Sequence, residues 1–163
     1  MNRGEIVLVN LNKGLLGGYE SRLLGTILMM EIFAAGLQRS QLPEQERRPV
    51  NIYVDEFQNF VSDNVASMLS EARKFGLRLT LANQTLTQLR AGTGRQDLLD
   101  TVLGNVGNII LFRLGVPDAD RLQLFTEPYT RQQMQELPNF HALARLLTAE
   151  GPVRPLIMKT LKY

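Results

Sequence analysis

The sequence predicts an α/β fold, a mainly parallel sheet flanked by helices and finished by a C-terminal β-hairpin. Three observations lead there. Short β-branched apolar runs recur along the chain, and amphipathic helical stretches separate them, an order that implies right-handed crossovers. The 163 residues, 44% hydrophobic and 21% charged, suffice for one sizeable core, so residues 1–163 are expected to form a single domain. The same balance excludes a disordered or low-complexity chain.

The first run, Glu5 to Leu11, is apolar on both faces, as a buried parallel strand would be. A glycine-rich turn from Asn12 to Gly18 leads into a helix over Tyr19 to Ser40, with Leu23, Leu24, Ile27, Met30 and Ala34 at helical spacing. Charged residues and Pro43 make 41–49 a surface loop. Val50 to Val54 is the second strand, stopping at Asp55-Glu56. A helix over Asp63 to Phe75 buries Val65, Met68, Leu69 and Ala72, and Gly76 ends it. Arg78 to Ala82 is the third strand, with polar Asn83-Gln84 and a short helix through Leu89 behind it. After a loop at 91–94 come a helix over Asp97 to Val106 and a fourth strand over Asn108 to Arg113. Two short helices follow, near 119–125 and 131–136, and then the hairpin of Phe140 to Leu147 with Val153 to Leu161.

Composition narrows the function. A net charge of +2 gives no general case for a polyanionic partner, although 14 of the 18 cations are arginine, a residue suited to carboxylate and phosphate contacts. The absence of cysteine excludes disulfides and thiol catalysis, and the single His141 leaves too few soft ligands for a transition metal. With no apolar run of spanning length and no secretory pattern at its start, the chain is expected to be soluble and to work in a reducing compartment.

Ligands of open α/β sheets bind outside the carboxyl ends of the strands. The most informative strand end is Ile52-Tyr53-Val54-Asp55-Glu56, which has the form of a Walker B element. A buried strand fixes the backbone, the first carboxylate can hold Mg²⁺ or its water, and the second can orient an attacking water. A solvated acidic turn would look the same. The third strand ends at Asn83-Gln84, where a carboxamide can meet a terminal phosphate, or Asn83 can simply cap a helix. Arg73 and Lys74 close a helix, where cations complement the dipole in any case; the functional alternative makes Arg73 an arginine finger. No Gly-x-x-x-x-Gly-Lys-Ser/Thr occurs. The one lysine of the Asn12–Gly18 turn, Lys13, precedes its glycines, so that turn is a tight entry to a helix and not a P-loop, although Lys13 can still approach an anion. Leu28, Met29 and Met30 read as packing residues, and His141 is given no metal role.

In order, Asn51-Ile52-Tyr53-Val54-Asp55-Glu56-Phe57-Gln58-Asn59-Phe60, then Leu69 to Leu77, then Thr80 to Gln84 with Gln88-Leu89 resemble the motor domain of conjugative coupling-protein ATPases. These are the TraG/TraD-like proteins of type IV secretion, within the HerA/FtsK class of RecA-like DNA pumps. Gly104 to Gly115 with Asp118-Ala119, the opening Ile6 to Leu11 with Gly14 and Gly17, and Asn139 to Ala142 are similar to the same family. The resemblance implies a partial RecA-like P-loop NTPase domain, from Walker B onward, in which Asp55 is the magnesium-side carboxylate, Glu56 the catalytic glutamate, Gln84 the strand-end contact to the terminal phosphate and Arg73 a trans-acting arginine. It implies ATP and Mg²⁺ as cofactors, DNA gripped without sequence preference, a hexameric homo-oligomer, secretion-system partners, and a cytoplasmic place at the bacterial inner membrane. The family's P-loop and membrane anchor lie before the matched region, so the chain is expected to be the C-terminal part of a longer ATPase, inactive alone. The loop at 91–96, with Arg90 and Arg95, is a candidate DNA contact, with an ordinary solvated loop as the alternative. The alternative is a non-catalytic ATPase-like module that binds a protein partner.

Overall fold

The computed structural model describes residues 4–60, 68–90 and 98–161, and the chain divides into two compact units, 1–105 and 106–163. The loop at 91–96 and the first half of the helix expected over 63–75, with Val65, lie outside the described residues.

In the first unit, a single turn α1 (Lys13–Leu16) is capped by the Asn12 side chain, which accepts from the Gly14 amide. Gly17, at φ 92°, swings the chain into α2 (Gly18–Gln38). Strands β1 (Val50–Val54) and β2 (Leu77–Leu81) pair in parallel, Val50 opposite Leu77 through Val54 opposite Leu81. Their alternation is strict. Val50, Ile52, Val54, Leu77, Leu79 and Leu81 face the core, while Asn51, Tyr53, Arg78 and Thr80 are exposed. Residues 72–75 form a 3-10 turn whose C-terminal Gly76, at φ 70°, donates to Ala72 and Arg73 carbonyls and starts β2. A second 3-10 turn over Leu86–Arg90 precedes α3 (Leu98–Asn105). Phe57, Leu89, Leu98 and Leu99 form one buried cluster, Met29, Phe60 and Met68 a second, and Ala72, Phe75 and Leu77 a third.

Two expectations need correction here. Residues 5–11 form no strand: β1 pairs only with β2 among the described residues, so the segment has no ladder to join. Ile6 and Leu8 are about nine-tenths exposed (90% and 92%). Toward its end the segment is tied down: Asn10 Oδ1 accepts from the Asn12 amide, and the Leu11 carbonyl accepts from Ser21 Oγ at 2.6 Å. The second correction concerns α2. Leu23, Leu24, Ile27 and Met30 are exposed, and the buried stripe runs through Ser21, Gly25, Met29 and Gly36. Small residues win that face because they admit close neighbours: a Cβ on Gly25 would sit 2.2 Å from the Phe60 ring, and one on Gly36 would sit 2.7 Å from Leu77.

The second unit contains β3 (Ile109–Leu111), α4 (Val116–Thr126), α5 (Arg131–Gln135), β4 (His141–Arg145), the short pair β5 (Leu147–Thr148) and β6 (Gly151–Pro152), and β7 (Leu156–Lys159). The strand expected over 108–113 is β3. It does not continue the parallel series but runs antiparallel to β4, which in turn pairs antiparallel with β7. The reason is local: two short helices return the chain alongside β3, and Asn108 Oδ1 accepts from the Leu147 amide to fix that register. Ala119, Met134, Leu137 and Leu143 form the core. Thr130 and Gln133 make a reciprocal capping box at α5. The fold class is thus mixed α/β, a parallel strand pair with a C-terminal antiparallel set.

Candidate functional site at the carboxyl end of the parallel pair

The acidic pair emerges where β1 ends. The main chain of Ala82, just past β2, brackets it: the Ala82 amide donates to the Val54 carbonyl at 2.9 Å, and the Ala82 carbonyl accepts from the Phe57 amide at 2.9 Å. Asp55 and Glu56 therefore occupy a turn pinned on both sides to the neighbouring strand. The turn is tight. Glu56 takes φ 50°, a left-handed conformation that costs a non-glycine residue about 1–2 kcal/mol. Local bonds hold it there: the Glu56 amide donates to Asp55 Oδ1 at 2.9 Å, and the Glu56 carbonyl accepts from the Asn59 amide at 2.9 Å. Phe57, 1% exposed, plugs the next side chain into the core beneath.

Asp55 is exposed and Glu56 half-buried. Gln84 reaches across from the end of β2 and donates Nε2 to Glu56 Oε1 at 2.7 Å, while Gln58 donates to Oε2. Three of the four residues singled out from the sequence thus converge on one rim. Arg73 does not join them. It is exposed in the turn that precedes β2, so the length of that strand, about 16 Å for five residues, separates it from Gln84. Asn83 donates to the Thr85 carbonyl at 3.1 Å, a local turn contact ahead of the 3-10 turn at Leu86.

Sequence reasoning gave three neighbours no place at this rim. Gln58 and Asn59 follow the acidic pair after Phe57, so their closeness in sequence was the available signal. Lys13, which the sequence offers only as a residue able to approach an anion, places Nζ 2.7 Å from Asn59 Oδ1 and so brings a cation to this rim. In the second unit, His141 Nδ1 pairs with the Asn139 carbonyl at 3.0 Å.

No group of three or more His, Asp or Glu side chains fit to hold a metal is found among the described residues. Magnesium does not need one, since it is commonly held by one or two carboxylates together with water and substrate phosphate oxygens. Exposed Asp55 fits that donor pattern. No helix of the described residues is long and apolar enough to cross a membrane.

The fold that carries this rim is similar to that of several solved structures. The plasmid coupling protein TrwB, in complex with a non-hydrolysable GTP analogue, superposes with a TM-score of 0.58 at 15% identity, over 81% of this chain and 36% of that one. The unbound form of the bacterial conjugative coupling protein TrwBdeltaN70 gives 0.61 at 14% identity, over 85% and 37%. The genome packaging NTPase B204 from Sulfolobus turreted icosahedral virus 2 gives 0.55 at 18% identity, over 82% and 62%. The fold is that of RecA-like P-loop NTPases. Residues 49–135 match the family model described as the TraM recognition site of TraD and TraG. The chain belongs to that family, and it spans little more than a third of the coupling-protein structures it resembles. No curated protein sequence matches it.

Proposed function

We propose that this chain is the Walker B-bearing part of an ATP-driven, DNA-translocating motor of the conjugative coupling type. The observation that carries the reading is the convergence of Asp55, Glu56 and Gln84 on one strand-end rim, with Gln84 Nε2 2.7 Å from Glu56 Oε1. In this reading Asp55 holds Mg²⁺ or one of its waters, and Glu56 orients the attacking water and takes its proton. Gln84 contacts the terminal phosphate of ATP. Magnesium supplies charge neutralisation on the phosphates when bound. The sequence has no Gly-x-x-x-x-Gly-Lys-Ser/Thr, so the phosphate cradle comes from another segment and the chain alone is inactive.

Arg73, exposed and about a strand's length from its own acids, acts on the site of an adjacent subunit in a homo-oligomer, by family likeness a hexamer. DNA is gripped through sequence-independent phosphate contacts, and the motor works at the cytoplasmic face of the bacterial inner membrane as part of a type IV secretion apparatus. The family description favours a second role beside the first, docking of a relaxosome protein of the TraM kind.

The test is to supply the P-loop segment of a coupling protein in cis and measure ATP hydrolysis with and without Glu56→Gln. A fall of at least about a hundredfold in kcat is expected from loss of a general base. Undiminished turnover in the variant would discard the catalytic assignment.

A further inference from the structure

Gln58 carries an oddity that the proposed mechanism leaves unused. Its Oε1 is buried and meets no donor among the described residues, although buried polar atoms are paired in the great majority of cases. Turning the amide over would not repair this. It would aim the carbonyl at the Glu56 carboxylate, oxygen against oxygen. The donor end is therefore committed to Glu56 Oε2, and the orphaned carbonyl is the consequence. The other donor to Glu56 is of a different kind. Gln84 is exposed, and its bond to Oε1 is made at the solvent side of the rim. One carboxylate thus sits between a committed amide and an exposed one.

We infer that Gln58 is a positioning residue: it anchors Oε2 so that Glu56 Oε1, covered by Gln84, is the one oxygen that movement at the rim can free for a water. This deepens the motor reading and rests on it for its purpose. The geometry itself is tested without nucleotide, so failure of the hydrolysis assay and failure of this inference are separate results.

The experiment is ¹⁵N NMR of the side-chain amides in the intact chain. In the wild type, Gln58 amide protons are expected to exchange with solvent at least about tenfold more slowly than those of Gln84, because one is anchored and half-buried and the other is open to water. Glu56→Ala should move both signals. Gln84→Ala should leave the Gln58 signal in place. Gln58→Leu should return the Gln84 signal to that of a free glutamine, through loss of carboxylate orientation, with core backbone amides unchanged. Equal exchange rates at the two side chains would overturn the inference. So would a Gln58 signal that follows Gln84→Ala, or a Gln84 signal indifferent to Gln58→Leu. Should Gln58→Leu not fold, the wild-type rates and the Gln84→Ala spectrum decide alone.

Discussion

Replacing Gly25 by alanine sets two known effects against each other, and the structure says which wins. In an ordinary helix interior the change gains about 1 kcal/mol of propensity. Here the new Cβ would lie 2.2 Å from Phe60 Cε1 and 2.3 Å from Cδ1, with Leu11 Cδ1 at 3.0 Å on another side. Carbon atoms in contact prefer about 3.5–4.0 Å. Phe60 cannot step aside freely, because it is buried with Met29 and Met68. Overpacking of this kind costs about 1–3 kcal/mol, and an overlap beyond about 1 Å against that preferred separation belongs in the upper part of that range. A net loss of about 1–2 kcal/mol follows, read as a lower urea midpoint at unchanged slope and a melting temperature down by roughly 2–8 °C. Gly104 is the control: it lies near the end of α3, and a Cβ added there would meet nothing within 4 Å, so Gly104→Ala should gain up to about 1 kcal/mol. A Gly25→Ala chain as stable as the parent would refute the close packing of α2 on the turn that carries Glu56.

Gly76→Ala should cost about 1 kcal/mol in the same melts, since Gly76 holds φ 70° at the entrance to β2. Thr130→Ala removes one half of the capping box on α5 and should destabilise the second unit by about 1 kcal/mol, measured by hydrogen exchange at residues 131–135. For the motor completed with a P-loop segment, Arg73→Ala subunits mixed with Glu56→Gln subunits should hydrolyse ATP faster than either alone. No recovery on mixing would remove the trans role of Arg73.

The parallel pair was legible because β1 and β2 alternate cleanly, Val50, Ile52 and Val54 against Asn51 and Tyr53, and each ends in a polar step. The gathering of Asp55, Glu56 and Gln84 followed from the rule that places strand ends on one rim. What escaped was set by pairing rather than pattern. Residues 5–11 have the composition of a strand, but a strand exists only with a hydrogen-bonded neighbour. The apolar stripe of α2 misled for a related reason: Leu23, Leu24 and Ile27 have the periodicity of a core face, yet burial went to Gly25 and Gly36, whose contribution is room rather than surface. Strand β3 was legible as a strand, but its direction depended on residues more than 30 positions later. Gln58 went unnoticed because its meaning lies in which end of an amide faces a carboxylate, and no residue letter records that.

Ala82 secures Val54 and Phe57 through its own peptide groups, and its side chain takes no part. Any amino acid with an amide hydrogen could stand there, and proline alone could not. The attachment at position 82 is thus written in the main chain, and a substitution there that keeps the amide hydrogen leaves both bonds beside Glu56 available.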